Sequence, residues 1–201
     1  GEQREAATLG MWIFLATEIL LFGGLFTIYI VYRFLYPETF QEMSGHLDLW
    51  LGTINTVVLL TSSLTVALAV HSIEHGRPRR MLVYLVSTVG LGLAFLGIKG
   101  VEYYEEYLNG LVPLAGFDFT YEGAHPDQAE LFMGIYFTMT DLHAVHLIAG
   151  IGIMGWLAIL GWRGRFSEEY FNPVETGGLY WHLVDIIWVF LFPLLYLISP
   201  A

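Results

Sequence analysis

Eight ionisable residues lie within long apolar stretches of the sequence, where a charge is costly and therefore has a structural or a functional reason. Their carboxyl, imidazole and amino groups can hold protons, bind metal ions or hydrogen-bond neighbouring helices. The eight residues are Glu18, Lys99, Glu102, Asp141, His143, His146, His182 and Asp185. Their spacing indicates which of these chemistries to expect.

Two pairs of these residues have the spacing of a single helix face. His143 and His146 are three residues apart, as are His182 and Asp185, so each pair lies on one side of a helix. At about 1.5 Å per residue, Glu18 and the second pair fall in the inner half of a membrane, with His146 at a similar level. We therefore expect a cluster of carboxylates and histidines that fixes helix packing and could conduct or buffer protons.

Glu18 lies in an apolar segment that offers no cation to pair with it. Its carboxyl group is therefore either neutral and directed at other helices, or it takes a hydrogen bond from His146 or His182. Helix packing and a proton-related role are equally open at this position.

Lys99 has two candidate partners for its ammonium group. Glu102 follows it by three residues, and Asp141 lies on the next apolar segment. An unpaired ammonium group inside a membrane costs about 3 kcal/mol or more. We therefore expect the Lys99 ammonium group to form an ion pair or to extend to the membrane surface. A structural role is favoured, and a substrate or proton role is the alternative.

Two cofactor chemistries stay open for the histidines. A b-type haem could take His143 or His146 together with His182, if these lie on facing helices at one depth. A metal ion could bind His143, His146 and His182 with Glu18 or Asp185. Neither is favoured, because histidines in helical bundles more often hydrogen-bond carboxylates and carbonyls, and we expect no cofactor or metal on this chain.

These side chains are carried by five apolar segments, each long enough to cross the roughly 30 Å hydrocarbon layer as a helix. The predicted spans cover about 9–32, 49–70, 81–104, 131–162 and 178–198. The composition agrees, since 56% hydrophobic and 13% charged residues leave too little charge for a water-soluble enzyme. We predict an all-α membrane protein, with one domain over residues 1–201 and a first span that is retained rather than cleaved as a signal peptide.

The basic residues predict the orientation, because Lys and Arg concentrate in short cytoplasmic loops. Five spans place six of the seven arginines on one side, which gives a cytoplasmic N-terminus and an outer C-terminus. These six are Arg4, Arg77, Arg79, Arg80, Arg163 and Arg165. The opposite side holds an acidic segment over 105–130, which is either a solvated loop or an attractive surface for a cationic partner.

Charge and cysteine content exclude further classes. A net charge of −11 does not favour a nucleic-acid partner. The sequence contains no cysteine, which removes disulfides, zinc–thiolate sites and iron–sulfur clusters.

Five short motifs occur along nearly the whole chain in the order in which the subunit III family of haem–copper oxidases has them. They are residues 11–18 with Phe22 and Phe26; Asn55-Thr56 with Leu59-Leu60, Ser62-Ser63 and Thr65; Glu102-Tyr103; Thr140, His143, His146 and Gly150; and residues 180–185 with Trp188. Each motif alone is weak, but the ordered set resembles this family specifically.

The resemblance implies a subunit with no haem or copper of its own, which packs beside the catalytic subunit I, holds phospholipid and supports proton uptake. By this resemblance Glu18 is the family's buried carboxylate, and the histidines with Asp185 are its polar network. Arg163 and Arg165, with Trp181, are the expected lipid-binding residues. The expected partners are oxidase subunits I and II, with haem and copper in those subunits, membrane lipid and a cytochrome c-type donor, in a bacterial inner membrane.

Two features depart from the family pattern. Members of the mitochondrial type have seven helices, whereas this chain resembles their last five. Lys99 and Asp141 stand where many members have glutamine and glycine. The lysine and the run Leu-Leu-Thr-Ser-Ser over 59–63 resemble the branch associated with nitric oxide reductase. The alternatives are therefore an accessory subunit of nitric oxide reductase and, from other classes, a haem-binding membrane anchor of a dehydrogenase or a transporter of protons or small solutes.

Overall fold

A computed structural model describes residues 2–114 and 118–198, and every regular element within them is an α-helix. The helices are α1 Glu2–Leu35, α2 Pro37–Ser44, α3 Leu49–Glu74, α4 Pro78–Leu108, α5 Pro126–Trp162 and α6 Asn172–Tyr196. All except α2 are long and apolar enough to cross a membrane. The all-α class and the five predicted spans are confirmed.

The helices extend beyond the predicted spans, mostly into polar sequence. The first begins at Glu2 rather than near residue 9, and α4 continues to Leu108 rather than ending near residue 104. Hydropathy marks only the apolar part of a helix, whereas backbone hydrogen bonds continue into the membrane surface. The last helix is the exception at its C-terminal end, since it stops at Tyr196 and not at residue 198.

The short helix α2 is an element that the apolar pattern did not predict. Pro37 occupies its first turn, where the fixed φ angle of proline suits a helix start. Its Phe40 and Met43 are fully buried against the long helices. The segment after α1 is therefore a packed helix.

Helix α6 lies at the centre of the bundle and contacts α1, α3 and α5, while α4 packs between α3 and α5. Its two tryptophans, Trp181 and Trp188, are among the largest fully buried side chains of the described residues. The core is therefore built around α6.

Helix α1 contacts the bundle through one narrow stripe. Its buried residues are Leu15, Phe22 and Tyr29, which are seven residues apart and so recur every two turns. The other faces stay uncovered, with Leu20 75% and Phe34 84% exposed. Since these faces are apolar, they require lipid or another protein as their surroundings.

The turns and chain segments at one end of the bundle carry most of the arginines, and we call this the basic end. It includes the start of α1, the α3–α4 turn and the α5–α6 connection. Arg4 donates a hydrogen bond to Glu175 at the start of α6, with 3.0 Å between Nη2 and Oε2. The Glu168 carboxylate lies against Gly76 in the α3–α4 turn. The six arginines assigned to one side of the membrane therefore lie at one end of the molecule.

Candidate functional site

The central helix α6 is joined to α3 by tryptophan hydrogen bonds. The Nε1–H group of Trp181 donates to Ser62 Oγ at 3.0 Å, and that of Trp188 donates to Thr56 Oγ1 at 3.0 Å. A buried indole N–H needs such an acceptor. The hydroxyls of α3 thus set the register of α6.

Trp181, which we expected to contact lipid, is fully buried instead. Its ring fits between two helices that carry glycine at the contact, because a β-carbon at Gly92 or Gly150 would lie 2.8 or 3.0 Å from ring atoms of Trp181. The indole satisfies its N–H group inside the bundle, so no face of the ring is left for lipid.

Glu18 and His146 form a hydrogen-bonded pair across the contact between α1 and α5. The distance between Glu18 Oε2 and His146 Nε2 is 2.5 Å, and both side chains are 14% exposed. The other ring nitrogen, Nδ1, lies 2.7 Å from the carbonyl oxygen of Leu142. The histidine donor expected for Glu18 is therefore His146.

The partners of His146 fix how many protons the pair holds. A carbonyl oxygen can only accept, so Nδ1 of His146 carries a hydrogen. The contact with Glu18 then contains one proton, held by the carboxyl oxygen or by Nε2. In either arrangement the pair has no net charge, which lowers the cost of placing it inside a membrane.

Aromatic residues hold the pair in place. The ring of Phe22 meets the imidazole of His146 edge-on at 5.3 Å between centroids. The Tyr180 hydroxyl donates to the backbone oxygen of His146 at 2.7 Å. Side chains from α1 and α6 therefore fix the histidine of α5 from two sides.

The remaining residues of the expected cluster lie in separate contacts. His143 is buried, and its Nε2–H group donates to the Val184 carbonyl at 3.0 Å. His182 Nδ1 is 2.7 Å from Ser63 Oγ. Asp185 is also buried on α6, and its carboxyl group interacts with the same Ser63 hydroxyl. The structure thus replaces one predicted cluster by several interhelical contacts.

These hydrogen bonds occupy imidazole nitrogens that a haem or a metal ion would need as ligands. Both ring nitrogens of His146 have partners, and Nε2 of His143 is committed to a backbone carbonyl. Within the part of the chain that the structure describes, His143, His146 and His182 do not bring three ligand atoms within reach of one ion. The arrangement fits a hydrogen-bonding role better than a ligand role.

A second polar group lies deep between α4, α5 and α6, and we call it the lysine cluster: Lys99, Glu102, Tyr136 and Tyr196. Lys99 Nζ donates to Glu102 Oε2 at 3.1 Å, to the Tyr136 hydroxyl at 3.0 Å and to the Tyr196 hydroxyl at 2.7 Å. All four side chains are buried. The three donors of the ammonium group are therefore all used.

Aromatic rings surround this ammonium group. Its nitrogen lies 5.0 Å from the ring centroid of Tyr136, 5.1 Å from that of Trp188 and 5.3 Å from those of Tyr103 and Tyr196. Cation–π attraction to Tyr103 and Trp188, to which Lys99 donates no hydrogen bond, offsets part of the cost of removing the charge from water. Tyr136 and Tyr196 also donate to Glu102 Oε1, so the carboxylate is held by the same residues.

The ion pair that the sequence predicted is thus present with Glu102, whereas Asp141 lies on an exposed face. Tyr136 and Tyr196 were missed, because tyrosines within apolar segments are typical of packing. Glu106 was assigned to the solvated acidic segment, but it is buried on the continued helix α4. Its spacing of four residues from Glu102 was the available signal.

Two surface features bear on lipid. Arg163 and Arg165 are exposed at the basic end, just after α5. A groove of about 540 Å³ runs between α1 and α5 toward the opposite end, with Leu25 among its mainly apolar lining residues and the carboxylates of Asp127 and Glu130 also in the lining. The arginines and this apolar groove are therefore separate places where a lipid head group and an acyl chain could bind.

Comparison with known proteins identifies this helical bundle. The family model described as cytochrome c oxidase subunit III matches residues 3–199. Cytochrome c oxidase subunit 3 of Thermostichus vulcanus is 32% identical, over 98% of this chain and 90% of that protein. Quinol oxidase subunit 3 of Bacillus subtilis is 30% identical, over 95% of this chain and 86% of that protein.

A fused relative is also similar. Heme-copper oxidase subunit I+III of Aeropyrum pernix is 30% identical, over 94% of this chain and 22% of that protein. The chain therefore belongs to the cytochrome c oxidase subunit III family. It is a multi-pass membrane subunit of a terminal oxidase complex, which confirms the resemblance that the five motifs predicted.

Proposed function

We propose that this chain is a non-redox accessory subunit that packs beside catalytic subunit I of a haem–copper oxidase, together with subunit II. It stabilises the catalytic subunit, holds phospholipid and supports proton uptake while the complex reduces oxygen to water. Haem and copper belong to the partner subunits, and the chain lies in a bacterial inner membrane with its N-terminus in the cytoplasm. The observation that carries this proposal is the uncovered apolar surface of α1.

Helix α1 attaches to its own bundle along one side only, through the buried Leu15, Phe22 and Tyr29 and the hydrogen bonds of Arg4 and Glu18. Its remaining apolar faces, which include Leu20 and Phe34, offer a surface for a neighbouring subunit and for lipid. The fused relative supports subunit I as that neighbour, because its name places subunits I and III in one chain.

The lipid role is supported by charge at one end and by shape between two helices. Exposed Arg163 and Arg165 attract phosphate head groups electrostatically, and each basic residue near a membrane surface contributes about 1 kcal/mol. The groove between α1 and α5 is lined mainly by apolar side chains, which suit an acyl chain, although the carboxylates of Asp127 and Glu130 also line it. Lipid in the groove would also support α1, which has little packing of its own.

The proton role is supported by the Glu18–His146 pair. The pair holds one proton, lies within two membrane-spanning helices and is still partly exposed. A partly exposed acid–base pair can exchange its proton, whereas a fully enclosed one cannot do so readily. The lysine cluster is fully enclosed, and we assign it a structural role in joining α4, α5 and α6.

Purification of the tagged chain in mild detergent tests the proposal. We expect a haem–copper subunit I to copurify, identified by mass spectrometry and by its optical spectrum. After dissociation, the haem should remain with the partner subunits. Haem retained by this chain would favour the membrane-anchor alternative, a copurifying nitric oxide reductase would favour that branch, and the absence of any redox partner would overturn the proposal.

A further inference from the structure

The C-terminal end of α3 presents three side chains with metal-binding groups on the protein surface. His71, Glu74 and His75 each offer one ligand atom, and these three atoms lie within 4.8 Å of one another. The residues occupy positions i, i+3 and i+4 of one helix end, which is the spacing of a common face. All three are exposed, so an ion in solution can reach them.

A backbone hydrogen bond prepares His75 for coordination. Its Nδ1 lies 2.9 Å from the carbonyl oxygen of His71. Since the carbonyl can only accept, Nδ1 carries the hydrogen and Nε2 carries the free lone pair. Metal-binding histidines almost always donate their second ring nitrogen to a carbonyl or carboxylate in this way. The two imidazole rings are also close, with 4.2 Å between centroids.

The local electrostatics include opposing contributions. The C-terminal end of a helix carries a partial negative charge that favours cations. The Glu74 carboxylate belongs to the group itself, and that of Glu168 lies against Gly76 close by. Arg77 and the arginines after it oppose a cation, which limits the affinity but leaves imidazole coordination available.

We propose that His71, Glu74 and His75 form a surface site for a divalent transition metal ion of the zinc type. Two imidazoles and a carboxylate suit Zn²⁺, Cu²⁺ or Ni²⁺, whereas Mg²⁺ and Ca²⁺ prefer ligand sets made only of oxygen. Three protein ligands leave a fourth position for water. The site lies at the basic end, separate from the Glu18–His146 pair and from the lysine cluster, and only its test makes use of the proposed oxidase complex.

Titration of the purified oxidase complex with Zn²⁺ alone tests the proposal, with a non-histidine affinity tag and the His71→Ala/His75→Ala variant as comparison. We expect the wild-type complex to bind one more equivalent of Zn²⁺ than the variant. Each single histidine substitution should weaken that equivalent at least about tenfold, since even outer partners of a metal site contribute 10- to 100-fold. An excess of Mg²⁺ should not compete.

His125→Ala is the matched control, because His125 is also exposed but lies at the start of α5, outside the group. It should leave Zn²⁺ binding unchanged, and all variants should keep the haem spectrum of the complex. Equal stoichiometry and affinity in the wild type and in the double variant would overturn the proposal, as would equal losses in the His125→Ala control.

Discussion

The Nε2 atom of His146 lies 2.5 Å from Oε2 of Glu18, and the opposite ring nitrogen of the same histidine is bound to a backbone carbonyl. The pair therefore joins α5 to α1 and holds one proton between its two members. Most other contacts of α1 with the bundle are apolar. A change at this contact therefore affects both proton exchange and the attachment of α1 to α5.

The Glu18→Gln variant separates the proton-related role of Glu18 from its role in joining α1 to α5. The amide of glutamine can still donate to His146 Nε2, so the helix contact is kept while the acidic proton is lost. We expect the initial rate of oxygen reduction to stay near that of the wild type. Activity should then decay faster during sustained turnover, and the number of protons pumped per electron should fall.

Glu38→Gln is the control for that variant, because Glu38 is an exposed glutamate on α2. It should match the wild type in both measurements. If Glu18→Gln pumped protons normally and survived turnover as long as the wild type, the proton role of Glu18 would be rejected.

Lys99→Met tests whether the lysine cluster is structural. Removal of the ammonium group leaves Glu102 buried without its counter-ion, which costs about 3–5 kcal/mol. The double variant Lys99→Met/Glu102→Leu removes both charges and should recover much of that loss. Thermal unfolding in detergent, followed by tryptophan fluorescence, measures both effects.

Glu130→Gln gives the comparison for the lysine cluster, because Glu130 is exposed and lies on the same helix as Tyr136. It should change the free energy of unfolding by no more than about 0.5 kcal/mol. The structural role of the lysine cluster would be contradicted if Lys99→Met were as stable as the wild type. It would also be contradicted if Lys99→Met/Glu102→Leu were less stable than Lys99→Met.

Gly92→Ala tests the fit of Trp181 between α4 and α5. The new β-carbon would lie 2.8 Å from Cη2 of Trp181 and 2.9 Å from Cγ1 of Ile151, so the rings and side chains must shift. Overpacking of this kind costs about 1–3 kcal/mol. Gly90→Ala on the same helix meets nothing within 4 Å and should be neutral or stabilising by up to about 1 kcal/mol. Equal unfolding temperatures for the two variants would refute the packing argument.

The sequence was sufficient to predict the five spans and to limit the partners of two buried groups to two candidates each. Glu18 had His146 and His182 as candidates, and Lys99 had Glu102 and Asp141, because few polar groups occur in apolar sequence. His146 and Glu102 are the partners in the structure. Because charged residues are rare in membrane-spanning sequence, the possible partners of each one are few.

The sequence did not predict the direction in which aromatic side chains face. Tyr136 and Tyr196 complete the lysine cluster, and Trp181 is enclosed rather than in contact with lipid. Apolar periodicity does not distinguish these directions, because a lipid-facing surface is as apolar as the interior. The short helix α2 was missed because its burial depends on long-range packing, which local sequence does not report.

Arg163→Gln/Arg165→Gln tests the phospholipid role at the basic end. Loss of two charges removes about 2 kcal/mol of attraction to anionic head groups. We expect fewer phospholipids to copurify with the complex, as counted by mass spectrometry, and a shorter active lifetime that added lipid restores. Arg33→Gln, at the opposite end of α1 from the basic end, is the control. Unchanged lipid content would remove these arginines from the lipid site.

The orientation can be measured directly, because the sequence contains no cysteine. Glu122→Cys places a thiol in the connection between α4 and α5, and Glu169→Cys places one at the basic end. Both native residues are exposed. If the arginines keep the basic end in the cytoplasm, a membrane-impermeant maleimide will label the first variant in intact cells. The second variant will react only after the cells are permeabilised, and the reverse pattern would place the N-terminus outside.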